Sequence, residues 1–159
     1  MNANEIHERI KDRFPDGVVE FKSDAVVDPF IVVRPELVRD IAEFLSSDPE
    51  MKFDYLMSLS GMDYNDGNLG VVYHLFSMDR RHRIVIKTKL LKNDARIRSV
   101  ESVWKSANWH EREAFDLFGI VFRDHPDLRR ILLPDDWEGH PLRKDYKVQE
   151  YYRGMKVPY

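Results

Sequence analysis

The chain has no cysteine among its 159 residues. Disulfides, thiolate-held zinc, a cysteine nucleophile and iron-sulfur clusters of ordinary ligation are therefore excluded on this chain. It has no apolar run approaching the roughly 18 residues that a membrane span needs, and Met1 to Glu8 hold no apolar signal region. Membrane association is thus expected only through a partner. Strong charge of one sign is missing too: the net charge of -3 exerts no general pull toward nucleic acid or a membrane surface. There is no Gly-rich phosphate loop, no Ser-x-x-Lys, no Gly-x-Ser-x-Gly, and no internal repeat or low-complexity stretch. No self-sufficient active site is visible.

What is present reads as one globular domain, with 43% hydrophobic and 12% aromatic residues. Asn4 is placed to cap a first helix carrying Ile6, Ile10 and Phe14, stopped by Pro15 and Gly17. Val18–Phe21 and Ala25–Val33 read as strands, with Pro29 pointing to an edge position or a bulge. Pro35 opens a helix whose apolar stripe runs through Leu37, Val38, Ile41, Phe44 and Leu45. Phe53–Met62 alternates as a strand with Phe53, Tyr55, Met57 and Leu59 on one face, and Asn65-Asp66-Gly67-Asn68 is a strong hairpin signal. Leu69–Met78 and Arg83–Leu91 complete an antiparallel meander, and Ser99 is placed to cap a short helix with Val100, Val103 and Trp104.

The most informative stretch is Asn108–Gly119, a helix with Asn108 at its N-cap, Glu111 returning a hydrogen bond to that cap, and Gly119 as its stop. Helical spacing places Trp109, Arg112, Glu113 and Asp116 on one stripe, with Ala114, Phe115, Leu117 and Phe118 around it. Charges hemmed by aromatic residues are expected to face something other than water. After Gly119 regular periodicity ends: prolines stand at 126, 134, 141 and 158, and charges of both signs are dense. Such a stretch is uncommon within a compact domain, and Ile131, Trp137, Tyr146, Tyr151 and Tyr152 make it too apolar for a simple disordered tail. The division expected is a globular domain over 1–119 and an extended, partner-binding arm over 120–159.

Duller and sharper readings compete for the polar residues. His110 with Glu113, joined by Glu111, Asp116, His125 and His140, sketches a metal site, and His110, Glu113 and His125 could serve a small metallohydrolase. The second ligand-bearing helix that usually accompanies such a pair is missing. With Arg112 among the carboxylates, an ion-pair network is the simpler use. The basic segment Arg80–Arg98 answers to a solvated face or an acidic protein partner rather than to nucleic acid.

The residues then carry a resemblance. Glu111-Arg112-Glu113, Asp116-Leu117-Phe118-Gly119-Ile120, His125-Pro126 and Arg129-Arg130-Ile131-Leu132 resemble the signature of the C subunit of proton-pumping NADH-quinone oxidoreductase. This is the 30-kilodalton subunit family of respiratory complex I, close to the J subunit of the photosynthetic NDH complex. Trp137-Glu138-Gly139-His140-Pro141-Leu142-Arg143-Lys144-Asp145-Tyr146 resembles the family's second hallmark, with Lys147 where a proline is usual. The signature spans residues 104–146, while the first hundred residues agree in length and element order.

The resemblance implies a peripheral-arm subunit without catalytic residues, flavin, cluster or quinone chemistry of its own, FMN and iron-sulfur clusters belonging to partner subunits. It implies contact with the hydrogenase-like large (D) subunit and cluster-bearing subunits, peripheral at the cytoplasmic face of the inner membrane through the complex. Carried over, Glu111, Arg112, Glu113, Asp116 and Gly119 organise the junction of helix and arm. His125, Arg129, Arg130, His140, Arg143, Lys144 and Asp145 make or buttress contacts. The equivalent subunit of a membrane-bound hydrogenase-type complex shares the signature. The expected fold is α+β: a mixed, largely antiparallel sheet of about five strands, packed helices and a long C-terminal arm.

Overall fold

The computed structural model describes residues 1–24 and 26–157. Helix α1 (Ala3–Arg13) begins at Asn2 rather than at Asn4: the Asn2 side chain accepts from Glu5 N, and the Glu5 carboxylate accepts from Asn2 N in return. Asn4 could not have made that reciprocal box, because the residue three positions on is His7. Strand β1 (Val18–Lys22) pairs antiparallel with β2 (Phe30–Val33), which is shorter than the expected Ala25–Val33; Ala25 itself lies outside the described residues. A turn of tighter helix at Pro35–Leu37 leads into α2 (Val38–Ser47), which buries Val38, Ile41, Ala42 and Leu45.

The hairpin of β3 (Tyr55–Asp63) and β4 (Asn68–Phe76) turns where the sequence signal places it, with Asn65 and Gly67 both at positive φ. Strand β5 (Arg83–Lys87) follows, then β6 (Leu90–Leu91) and β7 (Arg96–Arg98). The main sheet has the order β1-β2-β5-β4-β3, with β6 also on β4. All its pairs are antiparallel except β2 with β5. Three expectations fail here for identifiable reasons. Pro29 does not mark an edge: β2 is interior, and the proline sits one residue before it, offering its carbonyl to Val85 N. A bulge between Leu56 and Ser58 reverses the side-chain parity of β3, so Leu56 and Leu59 are buried while Tyr55 and Met57 face out. Ser99 caps no helix; residues 101–103 form turns, and Val100 and Trp104 are buried from those turns.

One face of the sheet carries alternate residues such as Ile31, Leu59, Val71, Tyr73 and Ile86 into a single apolar cluster, and all three helices contribute to it. The third, α3 (Ala107–Phe118), lies along β3, with the Phe118 ring closing on Gly61 so that a Cβ there would meet it at 2.4 Å. After α3 the chain is not free at once. Ile120 and Phe122 are core residues, and β8 (Val121–Arg123) runs parallel to β7. From Asp124 to Glu150 the backbone is irregular, with turns at 134–137 and 140–146, and it folds back over α3 instead of leaving the domain at Gly119. The chain closes in a small hairpin of β9 (Tyr151–Tyr152) and β10 (Met155–Lys156); Pro158 lies outside the described residues. No helix is long and apolar enough to cross a membrane, among the described residues.

Candidate functional site

Residues 124–147 form a strap across α3, and the helix faces it with charges rather than with an apolar stripe. The N-cap lies two residues earlier than Asn108, at Ser106, which makes no side-chain bond, and the helix starts at Ala107. Asn108 instead offers its carbonyl to His125 Nε2 at 3.0 Å. Because His125 Nδ1 accepts from Asp127 N at 3.0 Å, both ring nitrogens are engaged and the proton resides on Nε2.

Glu111, Arg112 and Asp116 are buried, whereas Trp109 and Glu113 are exposed. Each buried charge has a different partner, so the expected pairing among themselves does not occur. Glu111 points away from the strap into the core. Its Oε2 accepts from Ser99 Oγ at 2.6 Å and its Oε1 from Val100 N at 2.8 Å, with His125 Nε2 at 3.9 Å. Burial raises its carboxyl to about 7, against the lowering effect of the Ser99 and Val100 hydrogen bonds.

Arg112 donates through Nε and Nη2 to the carbonyls of Arg129 and Arg130, at 3.1 and 2.9 Å. Asp116 receives the same segment from the other side. Its Oδ2 accepts from the backbone N–H groups of Ile131, Leu132 and Leu133 at 3.1, 2.7 and 2.9 Å, and its Oδ1 from Arg130 at 2.7 Å. Burial alone would raise this carboxyl; the Leu133 N–H, the Arg130 guanidinium and the Leu132 and Ile131 N–H groups outweigh it and hold it below the usual range. Converging N–H groups are an anion-binding concavity, here filled by the protein's own carboxylate.

The last carbonyls of a helix have no partner within it. In α3 the strap supplies them. Arg130 and His140 Nδ1 bond Asp116 O at 3.2 and 2.9 Å, Leu142 N bonds Leu117 O at 3.0 Å, and Arg143 Nε bonds Phe118 O at 2.6 Å. Cationic groups at this end also complement the helix dipole. Gly119, at φ 71°, lets the backbone turn there, and a Cβ would sit 2.6 Å from the His140 ring and 2.7 Å from Arg143. Burial lowers the His140 pKa, with Arg143 and Arg130 adding to that effect and the Asp116 carbonyl opposing it.

The far end of the strap is fastened to the hairpin. Lys144 N donates to Asp63 Oδ2 at 2.8 Å, and Lys92 Nζ bridges Asp63 and Asp145 at 2.9 and 3.0 Å. Burial would raise Asp63, but the Lys144 N–H, Lys92 and the Asn65 N–H bring it down to about 2. Sequence reasoning missed Asp63, Lys92 and Ser99. Asp63 precedes a turn, where a carboxylate is commonplace, and its strap partner is 81 positions away.

Of the residues expected to matter, Arg112, Asp116, Gly119, Arg130, His140 and Arg143 gather at the helix end. Lys144 and Asp145 stand at the hairpin, and His125 under the start of α3. Arg129 contributes its carbonyl while its side chain pairs with Asp127 in solvent. Glu113 stands apart with His110 along a shallow cleft beside Leu117 and Leu142. His110, Glu113 and His125 do not converge. Among the described residues no three histidine or carboxylate side chains are grouped to hold a metal. The arrangement fixes one segment against another.

Residues 31–152 match the family described as respiratory-chain NADH dehydrogenase, 30 Kd subunit. The chain is 50% identical over 151 residues to the C subunit of the NADH-quinone oxidoreductase of Chloroherpeton thalassium, covering 94% of itself and 63% of that protein. Its identity to the corresponding C subunit of Chlorobium phaeobacteroides is 49%, over 94% of this chain and 92% of the relative. Among solved structures, a trypsin-resistant fragment (1-134) of Nqo5 superposes with a TM-score of 0.66 at 27% identity, over 80% of this chain and all of the fragment. A chain of an archaeal membrane-bound sulfane sulfur reductase superposes with a TM-score of 0.73 at 23% identity, over 91% of this chain and 85% of that one, a likeness of fold.

Proposed function

The chain belongs to the 30 Kd subunit family of the respiratory-chain NADH dehydrogenase, and from that membership we propose that it is a peripheral-arm subunit of an NADH-quinone oxidoreductase with a structural and assembly role. The observation that carries the reading is the family match over 31–152, which takes in both charged blocks of the strap and helix. Those blocks spend their charges on internal hydrogen bonds. The redox groups, FMN and iron-sulfur clusters, then belong to partner subunits, and the chain lies against the hydrogenase-like large (D) subunit and the cluster-bearing subunits. The chain sits at the cytoplasmic face of the membrane by way of that complex.

The strap has a role in this reading. Its backbone is committed to α3, while Leu132 and Leu142 on it, and Val148 and Tyr151 just beyond it, are exposed. It presents a shaped apolar margin to a neighbour without itself being free to wander. Burying such a margin supplies the association energy, and charge placement sets the orientation. A tagged chain expressed in its native cell is expected to co-purify with cluster-containing subunits and NADH-quinone oxidoreductase activity. Recovery as a lone protein would sink the reading. Arg112→Glu is expected to reduce that recovery while the circular dichroism of the isolated chain keeps its sheet signal.

A further inference from the structure

On the side of the molecule where β7 and β8 pair, the ribbon turns Ile97 and Phe122 inward, 1% and 2% exposed, and so sends Arg96, Arg98, Val121 and Arg123 outward. The register sets Arg98 directly opposite Arg123, an arrangement of like charges that a sheet ordinarily avoids. Arg98 is relieved by Asp124 at 3.3 Å and Arg96 by Asp94 at 2.9 Å, both exposed pairs that solvent weakens. Among the described residues no carboxylate lies within ion-pair distance of Arg123.

Two adjoining hollows meet at Arg96 and Asp94. The first, of about 420 Å³, sets Lys89, Arg96 and Arg123 against Glu36 and Asp94. The second, of about 400 Å³, sets Lys92, Arg96 and Arg143 against Asp94 and reaches Gly119 at the end of α3. Of the lining charges outside any ion pair among the described residues, Lys89, Arg123 and Arg143 thus face Glu36 alone, on a chain whose net charge is -3. Lys92 is neutralised by Asp63 and Asp145 and Arg96 pairs with Asp94, while Arg143 is held in place by the Phe118 carbonyl and Arg123 is free to reach. Leu91, 71% exposed, stands in the wall of the first hollow.

Resting on the family reading above, we infer that this paired groove docks an extended acidic segment of another subunit of the same complex, with an apolar side chain of that segment over Leu91. A nucleic acid is a poorer occupant, because neither hollow contains an aromatic side chain for bases to stack on. An anionic lipid surface is a poorer one too. A flat surface could not enter a concavity, whereas a single extended chain can follow both hollows, which share Asp94 and Arg96.

The chain has no cysteine of its own, so Leu91→Cys provides one site for a photoactivated crosslinker in the assembled complex purified from its native cell. The expected product joins Leu91→Cys to a carboxylate-rich stretch of a partner subunit. Adding Arg96→Glu and Arg123→Glu is expected to reduce that product by about tenfold or more, because repulsion replaces attraction at two contacts. Both arginines are surface residues outside the strap, and circular dichroism of the isolated variant checks that it folds. Three results overturn the inference while leaving the family reading intact: a label that stays solvent-reactive in the assembled complex, a crosslink to lipid, or a crosslink to a neutral or basic segment. A chain never found with cluster-bearing subunits overturns both.

Discussion

The sheet with its helices and the strap across α3 are held by opposite kinds of force. In the first, buried apolar residues from seven strands, β2 to β8, and three helices share one cluster, and no single contact dominates. In the second, a segment of more than twenty residues is fixed by a few charged or polar side chains bonded mostly to backbone: Arg112 and Asp116 from the helix, Arg130, His140 and Arg143 from the strap, Asp63 from the hairpin. A core built from many small contributions degrades gradually under substitution. A strap built from a few charge-assisted bonds, each contributing about 1.5–3 kcal/mol, fails at one residue.

The sharpest way to separate the regions is Asp116→Ala, which leaves three N–H groups without their acceptor and Arg130 without its carboxylate. The expected loss is about 3–5 kcal/mol, concentrated in the strap. It is measured as faster trypsin cleavage at Arg129 and Arg130 with unchanged protection of β4 amides in hydrogen exchange. Equal loss of protection in β4 would show one cooperative unit and remove the distinction.

Acidity distinguishes the two regions by sign. Glu111 is raised in the folded state, so its contribution is fully present below its ordinary value of 4.5 and is lost as pH rises through about 7. Asp63 is depressed, so its contribution is present above 3.8 and is lost as pH falls toward about 2. The core is therefore expected to gain, on the order of 3 kcal/mol, between pH 7 and 4.5, and the far end of the strap to loosen only below 4. Denaturant titrations across pH check this, and Glu111→Gln is expected to flatten the upper slope; a slope unchanged in that variant assigns it to another group.

Gly119→Ala puts a methyl group against His140 and Arg143 at positive φ and is expected to cost about 1–2 kcal/mol at the helix end. The readout is again trypsin, with an effect smaller than that of Asp116→Ala. Smallest, and opposite in sign, is Tyr73→Phe. The Tyr73 hydroxyl is buried without a hydrogen-bond partner among the described residues, so removing it should be neutral or stabilising by less than about 1 kcal/mol. A clear fall in thermal midpoint would reveal a bound water or a proton shared with Glu111.

Legibility in the sequence follows the same divide. Periodicity located α1, α2, β4 and the Asn65–Gly67 turn because burial acts on neighbours within one element. It missed the β3 bulge, since an extra residue in one strand leaves the composition alternating and changes only which face each residue takes. The charges on α3 were recognisable as belonging to something, and the family blocks named the strap residues that receive them. The pairing itself was not readable. Glu111 turned to Ser99 and Val100 instead of the helix cap, and Asp116 to backbone N–H groups, whose positions no side-chain pattern encodes.

The two ends of the strap differ in the length of chain each must close. Asp116 reaches the N–H groups of Ile131 to Leu133 across 15 to 17 positions, whereas Asp63 and Lys144 N are 81 positions apart. With closure entropy rising as the logarithm of loop length, the longer closure costs about 1.5 kcal/mol more if made from an open chain. It becomes cheap only once the β3–β4 hairpin and α3 have brought the ends near. The strap is thus expected to fasten from the helix outward, the Lys144–Asp63 bond closing after the Asp116 contacts.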